Sequence, residues 1–315
     1  TPSIADAAVN AAIAAIESES ATTEEKVEML IEMALLFQEK PKSAKQLQDA
    51  VTLYYCAIDL CGEDYPLLKA RATAGMATAL RTIPAEGTDL LLQAKAGYEA
   101  AIPVLQEFAS PEEVAEAQMN WGLVLQSLVP FNLAKMADAI SAYQRALRVF
   151  TAAAYPQEFA ILHNNIAIAY LSMPLSAAGE DLRQGLAVQS FEEALKHITL
   201  IDHPSEYAML QNNLGNALQY LRSSHPVENN MRAIAAYNEA LKVRTRQDTP
   251  LEYANTISNK ANALSNLPDD WEKPKAGNPK NLAQASNYYQ ESLAIFTQYG
   301  QIEQAQTVAQ ALEEL

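Results

Sequence analysis

Asparagine residues recur at near-constant intervals, and their chemistry is the first functional signal in the chain. One set is spaced 45, 48 and 46 residues apart, and further copies stand close beside it: Asn120, Asn165, Asn213 and Asn259, then Asn164, Asn212, Asn216 and Asn262. A side-chain amide has one acceptor and two donors, so it matches the C=O and N–H of a peptide unit. Asparagine is a mediocre helix former, so its recurrence in helical stretches needs another explanation. These amides are expected to bind the backbone of a partner or to bond neighbouring repeats together, and the two roles can coexist.

The charge of the chain argues against phosphate-bearing partners. With 22 Lys and Arg against 38 Asp and Glu, the 315 residues carry a net charge of −16. An acidic surface repels nucleic acid and anionic membrane surfaces, so neither is an expected partner. No apolar run approaches the roughly 18 residues of a membrane span, and residues 1–20 lack the basic start of a signal peptide. We expect a cytoplasmic protein, and a start at Thr1 rather than Met suggests that an upstream segment was removed.

Residues suited to catalysis, metal binding or disulfide formation are not arranged in a pattern that supports those roles. The two cysteines, Cys56 and Cys61, are too few for a disulfide scaffold or a four-thiolate zinc site, so we expect them to be reduced. The four histidines lack metal-ligand spacing, and neither a glycine-rich phosphate loop nor a nucleophile elbow occurs. The sequence therefore predicts no enzyme, no catalytic residue, no metal and no cofactor.

The elements that position the asparagines repeat with a period of 45 to 48 residues. The period is marked by prolines, namely Pro66, Pro111, Pro156, Pro204 and Pro250. An alanine stands four residues after each proline, a small residue eleven after it, and a large one fourteen after it. Positions 4, 7, 11 and 14 share one face of a helix, so each proline begins a helix with a seam of small residues. Ser110 and Thr249 are the expected capping hydroxyls of two of these helices, with proline at the first helical position.

A second helix with its own signature follows each of these first helices. An aromatic residue stands between a small residue four positions earlier and another three positions later, at Tyr54, Tyr98, Tyr143, Phe191, Tyr237 and Tyr289. These spacings place all three residues on one stripe of a helix. The aromatic side chain is expected to fill the space left open by its small neighbours.

This pairing of helices resembles the tetratricopeptide repeat (TPR) family, in a long form of about 45 residues found in bacterial, notably cyanobacterial, proteins. The closest likeness is PSEYAMLQNNLGNAL at Pro204–Leu218, followed by AIAAYNEAL at Ala233–Leu241. The resemblance implies an all-α, TPR-like α-solenoid, in which about six helical hairpins form a right-handed superhelix with a capping helix at each end.

The predicted organisation is a single domain over residues 1–315. Residues 1–21 form an N-terminal capping helix, residues 22–299 form six hairpins, and residues 300–315 form a C-terminal capping helix. The hairpins are expected to start near residues 22, 66, 111, 156, 204 and 250. Lys260 departs from the core pattern, and we expect its stem to be buried and its ammonium to reach the groove or the solvent.

The resemblance also implies a concave groove lined by the first helices, with the asparagines on it. The expected partner-binding residues are Asn120, Asn164, Asn165, Asn212, Asn213, Asn216, Asn259, Asn262, Arg71 and Trp271. A carboxylate clamp is not supported, because Arg71 is the only basic residue at its position on the groove stripe. Trp271 lies in a long loop, Pro268–Asn281, where it either packs on a neighbouring helix or contacts a partner.

The function expected from this resemblance is a non-enzymatic protein–protein interaction module, such as an adaptor, a chaperone-like protein or an assembly factor. It would bind an extended or helical segment of another protein in the groove, and a monomer is the favoured state. The alternatives are a regulatory sensor for a small ligand or signalling peptide, and a self-associating scaffold.

Overall fold

The computed structural model describes residues 4–18, 20–173, 177–221 and 225–315, and within these ranges every regular element is a helix. Helices hold 77% of the residues, against about one-third in globular proteins generally. The α-helices are α1 Ile4–Ile16, α2 Thr23–Glu39, α3 Ala44–Cys61, α4 Pro66–Thr82, α5 Asp89–Phe108, α6 Pro111–Leu128, α7 Met136–Leu147, α8 Pro156–Ser172, α9 Ala177–Leu195, α10 Pro204–Tyr220, α11 Pro226–Leu241, α12 Pro250–Ser265, α13 Pro279–Gln298 and α14 Ile302–Glu313. Short 3₁₀ helices at Val129–Phe131 and Pro274–Ala276 lie in two of the connections.

The helices pack into two compact units, Thr1–Phe150 and Thr151–Leu315. Each unit contains three hairpins, in which a first helix (α2, α4, α6; α8, α10, α12) packs against the helix that follows it. The terminal helix α1 packs on α2 and α3, and α14 packs on α13. The all-α prediction with six hairpins is therefore confirmed, and the first helices begin within one residue of the positions expected. The single-domain organisation stays a prediction, and residues 1–3, 19, 174–176 and 222–224 of its segments lie outside the described residues.

The core of each hairpin is built around the repeated aromatic residue of the second helix. All six of these rings are at most 4% exposed. Gly122 and Gly215 make room for two of them, because an added Cβ would lie 2.6 Å from the ring of Tyr143 and 2.5 Å from that of Tyr237. The small-residue seam therefore exists because an aromatic ring occupies the space beside it.

The hydroxyl groups of two of these buried tyrosines bond to glutamines near the end of the first helix in the same hairpin. Tyr54 donates to Gln38 at 2.7 Å and Tyr143 donates to Gln126 at 2.7 Å. Both glutamines stand fifteen residues after the first residue of their helix, so the pairing repeats with the fold. A buried hydroxyl needs such a partner, and in these two hairpins the repeat supplies it at the same position.

One hairpin has lost the hydroxyl and its polar partner together. Phe191 of α9 replaces tyrosine, and the residue of α8 at the glutamine position is Leu171, which packs against the same core. In the next hairpin Tyr237 keeps its hydroxyl, which donates to Asn216 at 2.7 Å and accepts from Gln219 at 3.0 Å. An apolar side chain thus occupies the position where a glutamine would have no tyrosine hydroxyl to bond.

The two capping hydroxyls predicted from sequence behave differently. Ser110 accepts a hydrogen bond from the Glu113 N–H at 3.3 Å, as predicted. Thr249 makes no capping bond to α12. Its hydroxyl instead accepts from the Thr245 N–H at 3.0 Å and donates to the Thr245 carbonyl at 3.3 Å. The prediction for Thr249 was wrong because the turn before the helix offers its side chain nearer partners.

Lys260 also differs from its expectation in one respect. The residue is 9% exposed, so its stem is buried as expected. Its ammonium, which was expected to reach the groove or the solvent, instead donates to the Tyr288 hydroxyl at 3.1 Å and lies 4.9 Å from the centre of that ring. The second helix of the same hairpin therefore supplies both a hydrogen bond and a cation–π contact.

Candidate partner-binding groove

The asparagines of the second unit form a hydrogen-bonded row, here called the amide ladder, that joins three successive first helices. Its members are Asn164 and Asn165 of α8, Asn212, Asn213 and Asn216 of α10, and Asn259 and Asn262 of α12. Asn164, Asn212, Asn213, Asn259 and Asn262 take part in bonds between first helices, Asn216 bonds within its own hairpin, and Asn165 stands beside Asn164 without an acceptor for its amide nitrogen. The ladder is the feature that brings the sequence-predicted residues together.

The central bonds of the ladder run from one repeat to the next. Asn213 donates to Asn164 at 2.6 Å, which joins α10 to α8. Asn259 donates to Asn212 at 3.3 Å, which joins α12 to α10. Asn212 also donates to Asn213 at 3.1 Å, so the two bridges are connected. The inter-repeat role considered from sequence is therefore present in these contacts.

A second set of bonds holds the other end of the same helices. Asn262 of α12 donates to the Gln219 side chain of α10, and Gln219 in turn donates to the backbone carbonyl of Asn259 at 3.2 Å. Asn216 accepts the hydroxyl of Tyr237 from within its own hairpin. The ladder is thus bonded to the aromatic core as well as along the repeats.

Burial divides the ladder into covered and accessible amides. Asn164 and Asn212 are 8% and 3% exposed, so neighbouring helices cover them. Asn213, Asn216, Asn259 and Asn262 are partly exposed, and a partner would reach these four. Asn165 is unusual because its amide nitrogen is sealed from solvent and has no hydrogen-bond acceptor among the described residues. Partner contact by any of these residues stays a prediction.

The first unit places Asn120 and Arg71 together on another cavity. This cavity measures about 300 Å³ and is lined by polar groups and by the apolar side chains of Ile31 and Leu35. Arg71 does not present a free cation there, because its guanidinium binds both carboxylate oxygens of Glu113 at 2.8 and 3.0 Å. This hydrogen-bonded pair raises the pKa of Arg71 above its ordinary value. A bidentate pair of this kind leaves little reason for Arg71 to bind another anion.

Trp271 lies apart from the ladder in the loop before α13. The loop folds back on itself, since the Asp269 carboxylate accepts from the backbone N–H groups of Lys280 and Asn281 at 2.9 and 2.8 Å. Trp271 is 67% exposed, so the interpretation in which it packs on a neighbouring helix is wrong. Partner contact by Trp271 stays a prediction.

Histidine and carboxylate groups do not assemble into a metal site in the described parts of the chain. His163 lies 4.5 Å from the ring of Phe159 and bonds through Nδ1 to the Ser190 hydroxyl at 3.2 Å. Burial lowers its pKa below the ordinary value. This histidine therefore has structural partners. No helix among the described residues has the length and apolarity to cross a membrane.

Sequence reasoning missed two residues of the ladder. Thr256 is fully buried and donates to the side-chain oxygen of Asn212 at 3.0 Å. That oxygen therefore accepts from both Thr256 and Asn259. Gln219 links Asn262 to Tyr237. A signal for the glutamine existed, because Gln38 and Gln126 occupy the same position in their helices. No such recurrence marks Thr256.

Comparison with known proteins identifies the fold. No protein-family model matches the chain, and no curated protein matches it either. Among solved structures, it is similar to a signal transduction ATPase with numerous domains, a protein with a tetratricopeptide repeat sensor from Pyrococcus horikoshii. The TM-score is 0.60 and the sequence identity 15%, over 96% of this chain. The fold is of the TPR type.

The chain spans 44% of the length of the archaeal protein. A second solved structure is the TPR2AB domain of yeast Sti1 in complex with pHSP90, at 17% identity over 91% of this chain and 97% of that one, with a TM-score of 0.33. At such low identity, the likeness to the archaeal protein concerns the fold alone.

Proposed function

We propose that this TPR chain is a non-enzymatic protein-interaction module, which holds an extended or helical segment of another protein against its first helices. The observation that carries the proposal is the row of partly exposed amides at Asn213, Asn216, Asn259 and Asn262. Each is held in a defined orientation by bonds within the protein. Donors and acceptors that are already ordered lose little side-chain entropy when a partner binds.

Apolar contacts must add to these hydrogen bonds. Each hydrogen bond contributes about 0.5–1.5 kcal/mol net, whereas micromolar affinity requires about 8 kcal/mol. A large apolar side chain on a first helix of the same unit is available, since Ile161 of α8 is 38% exposed. A segment with alternating apolar side chains and an accessible backbone fits both kinds of contact.

Site-specific photo-crosslinking tests this proposal. A photoreactive amino acid at Ile161, on the first helix α8, should capture a defined segment of a partner when the protein is incubated with extract of its source cell. The matched control is the same amino acid at Leu182 of the second helix α9, which is more exposed, at 66%. Sequencing of the captured peptide identifies the segment. Equal capture at both positions, or capture at Leu182 alone, would contradict binding at the first helices.

Salt dependence distinguishes the mode of recognition once a segment is known. Binding by neutral amides should change little between low and high ionic strength, because no ion pair is screened. The chain carries a net charge of −16, so recognition of a basic segment by general charge would weaken steeply over the same range. A steep loss of affinity would therefore argue against amide recognition.

A further inference from the structure

A cavity of about 310 Å³ lies in the second unit, beside the turn that precedes α12. The turn contributes Arg244 to the lining. The other nitrogen-bearing side chains in the lining are neutral amides. The lining includes Asn212, Asn213, Asn255, Gln301 and Gln304. A volume of this size falls at the lower end of small-molecule sites, which measure about 300–1,000 Å³.

Arg244 is a half-buried cation without an ion pair among the described residues. Its one hydrogen bond among the described residues runs to the Thr256 hydroxyl at 3.0 Å, and no described carboxylate lies within ion-pair distance. Desolvation lowers its pKa below the ordinary value, although the more distant charge of Glu252 opposes this effect. Desolvated charges in proteins are normally paired, because an uncompensated one is costly.

The contrast with the neighbouring arginine shows that the turn can supply an ion pair. Arg246, two residues further on, bonds to Glu291 at 3.4 Å although it is more exposed. Arg71 in the first unit is likewise paired with a glutamate. Of these three, Arg244 alone has no ion pair among the described residues; its cavity is lined by neutral amides and by one carboxylate, Glu252, which is not bonded to it.

We propose that this cavity binds a carboxylate group, with the guanidinium of Arg244 as its counter-ion and the surrounding amides as further donors. A guanidinium presents its N–H groups in a fork that matches the two oxygens of a carboxylate. A phosphate carries about −1.5 to −2 charges at neutral pH. Such a group would meet a single arginine, the exposed Glu252 at the cavity and a chain of net charge −16. The charge balance therefore favours a singly charged anion.

The carboxylate belongs either to a small organic acid or to an acidic side chain of a bound protein. The cavity has room for one such group. Thr256 links Arg244 to Asn212, so the occupant would contact the ladder through its most buried amide. Binding of a carboxylate in this cavity does not require a partner segment on the first helices. A failure of this proposal would therefore leave the function proposed above untouched, and the reverse also holds.

Isothermal titration with defined probes tests the site. The probes are acetate, inorganic phosphate and a glutamyl peptide with both ends blocked, each at constant ionic strength. Saturable binding of acetate or of the peptide is expected for the native protein and for Arg246→Gln, the matched control. Arg244→Gln should weaken this binding at least ten-fold. Acetate binding as tight as that of the peptide indicates a free organic acid, whereas binding of the peptide alone indicates an acidic side chain.

A second variant covers the case in which Arg244→Gln fails to fold. Gln304→Glu places a carboxylate on the exposed face of α14 at the same cavity and leaves Arg244 in place. It should weaken probe binding and raise Tm, because an internal carboxylate then occupies the site. The proposal is overturned if no probe binds saturably, if phosphate binds as tightly as the carboxylates, or if Gln304→Glu leaves both binding and Tm unchanged.

Discussion

Asn212 accepts hydrogen bonds from Thr256 and Asn259 while it donates to Asn213, although it is almost completely buried. Buried polar networks of this kind are stabilising when every member is satisfied and destabilising when one is not. The ladder contains both situations, because the Asn165 amide nitrogen lacks an acceptor. Neighbouring asparagines should therefore respond in opposite ways to the same substitution.

Asn213→Ala should destabilise the protein by about 1–3 kcal/mol, because the Asn164 carbonyl oxygen and the Asn212 amide would lose their partner. Asn165→Ala is the matched control on the adjacent helix. It removes a donor that has no acceptor and introduces a better helix former, so stability should be unchanged or slightly higher. Chemical denaturation of the two variants measures the difference. Equal losses would show that the ladder bonds do not contribute to stability.

Tyr237→Phe should also destabilise by about 1–3 kcal/mol, because Asn216 and Gln219 would lose the hydroxyl that they share. The hairpin with Phe191 indicates how such a loss of stability can be reduced, since Leu171 occupies the glutamine position there. Gln219→Leu would also remove the bonds to Asn262 and Asn259, so the test uses the equivalent pair: adding Gln126→Leu to Tyr143→Phe should recover part of the loss caused by Tyr143→Phe. A double-mutant cycle measures this coupling, and strictly additive effects would contradict it.

At the level of single residues, the sequence predicted the positions of the recurring side chains better than it predicted their hydrogen-bond partners. The asparagine row and the aromatic stripe follow from spacing alone. Which atoms meet depends on side-chain reach, so the bond between Lys260 and Tyr288 could not be read from a helical pattern. Thr249 was misassigned for the same reason, because its choice between the helix and the preceding turn is settled by local backbone geometry.

Helix packing in each hairpin depends on the fit of a ring against a glycine or alanine. Gly215→Ala adds a Cβ that would lie 2.5 Å from the ring of Tyr237, so the helix or the ring must move. We expect a loss of about 1–3 kcal/mol, as for other overpacked cores. The larger change Gly215→Leu should be at least as destabilising.

The control for this substitution is Gly185→Ala in α9, where an added Cβ meets nothing within 4 Å. Alanine is a better helix former than glycine, so Gly185→Ala should raise stability by about 0.5–1 kcal/mol. Thermal or urea unfolding of both variants gives the comparison. A gain in stability for Gly215→Ala would mean that the seam is looser than its contacts indicate.

The start of α13 is held by a residue from the loop before it. Asp269 accepts from two N–H groups of the first helical turn, which have no partner within the helix itself. Asp269→Ala should reduce stability by about 0.5–2 kcal/mol, as expected for loss of a helix cap. Glu272→Ala, an exposed change in the same loop, should have little effect, and equal losses in the two variants would exclude capping as the cause.

Alkaline pH should destabilise the whole molecule. Burial raises the pKa of Tyr289 to about 12, and burial followed by a hydrogen bond to Glu291 raises that of Tyr253 to about 12. An unfolded tyrosine titrates near 10, so unfolding releases protons between about pH 10 and 12. The contribution of these tyrosines to the free energy of unfolding should therefore be constant below about pH 10 and fall as the pH rises through this window.

Each such tyrosine contributes at most about 1.4 kcal/mol per pH unit to this loss. Urea unfolding at a series of pH values from 9 to 12 would measure the slope. Tyr289→Phe should make the slope shallower, because the titrating group is removed. An identical slope in this variant would show that Tyr289 is not protected in the folded state.

Across the whole chain, period and hairpin number could be predicted because every repeat carries the same markers. The division of contacts into two units could not, since each hairpin has nearly the same pattern and no linker interrupts the period. The cavity at Arg244 escaped prediction for a related reason. It arises where a turn, two first helices and the terminal helix meet, and a single repeat does not contain it.

The ladder has a direction, and that direction limits where the array can grow. The donor of each bridge belongs to the later repeat and the acceptor to the earlier one. The segment from Pro204 to Thr249 carries both halves, in Asn213 and Asn212, so a tandem duplicate of it would bond to its own parent. The following repeat has Ser258 at the acceptor position, and the repeat before Asn164 has Met119 there. The repeat that begins at Pro156 also carries both halves, in Asn165 and Asn164, so duplication of either of these two segments would lengthen the protein without breaking the row.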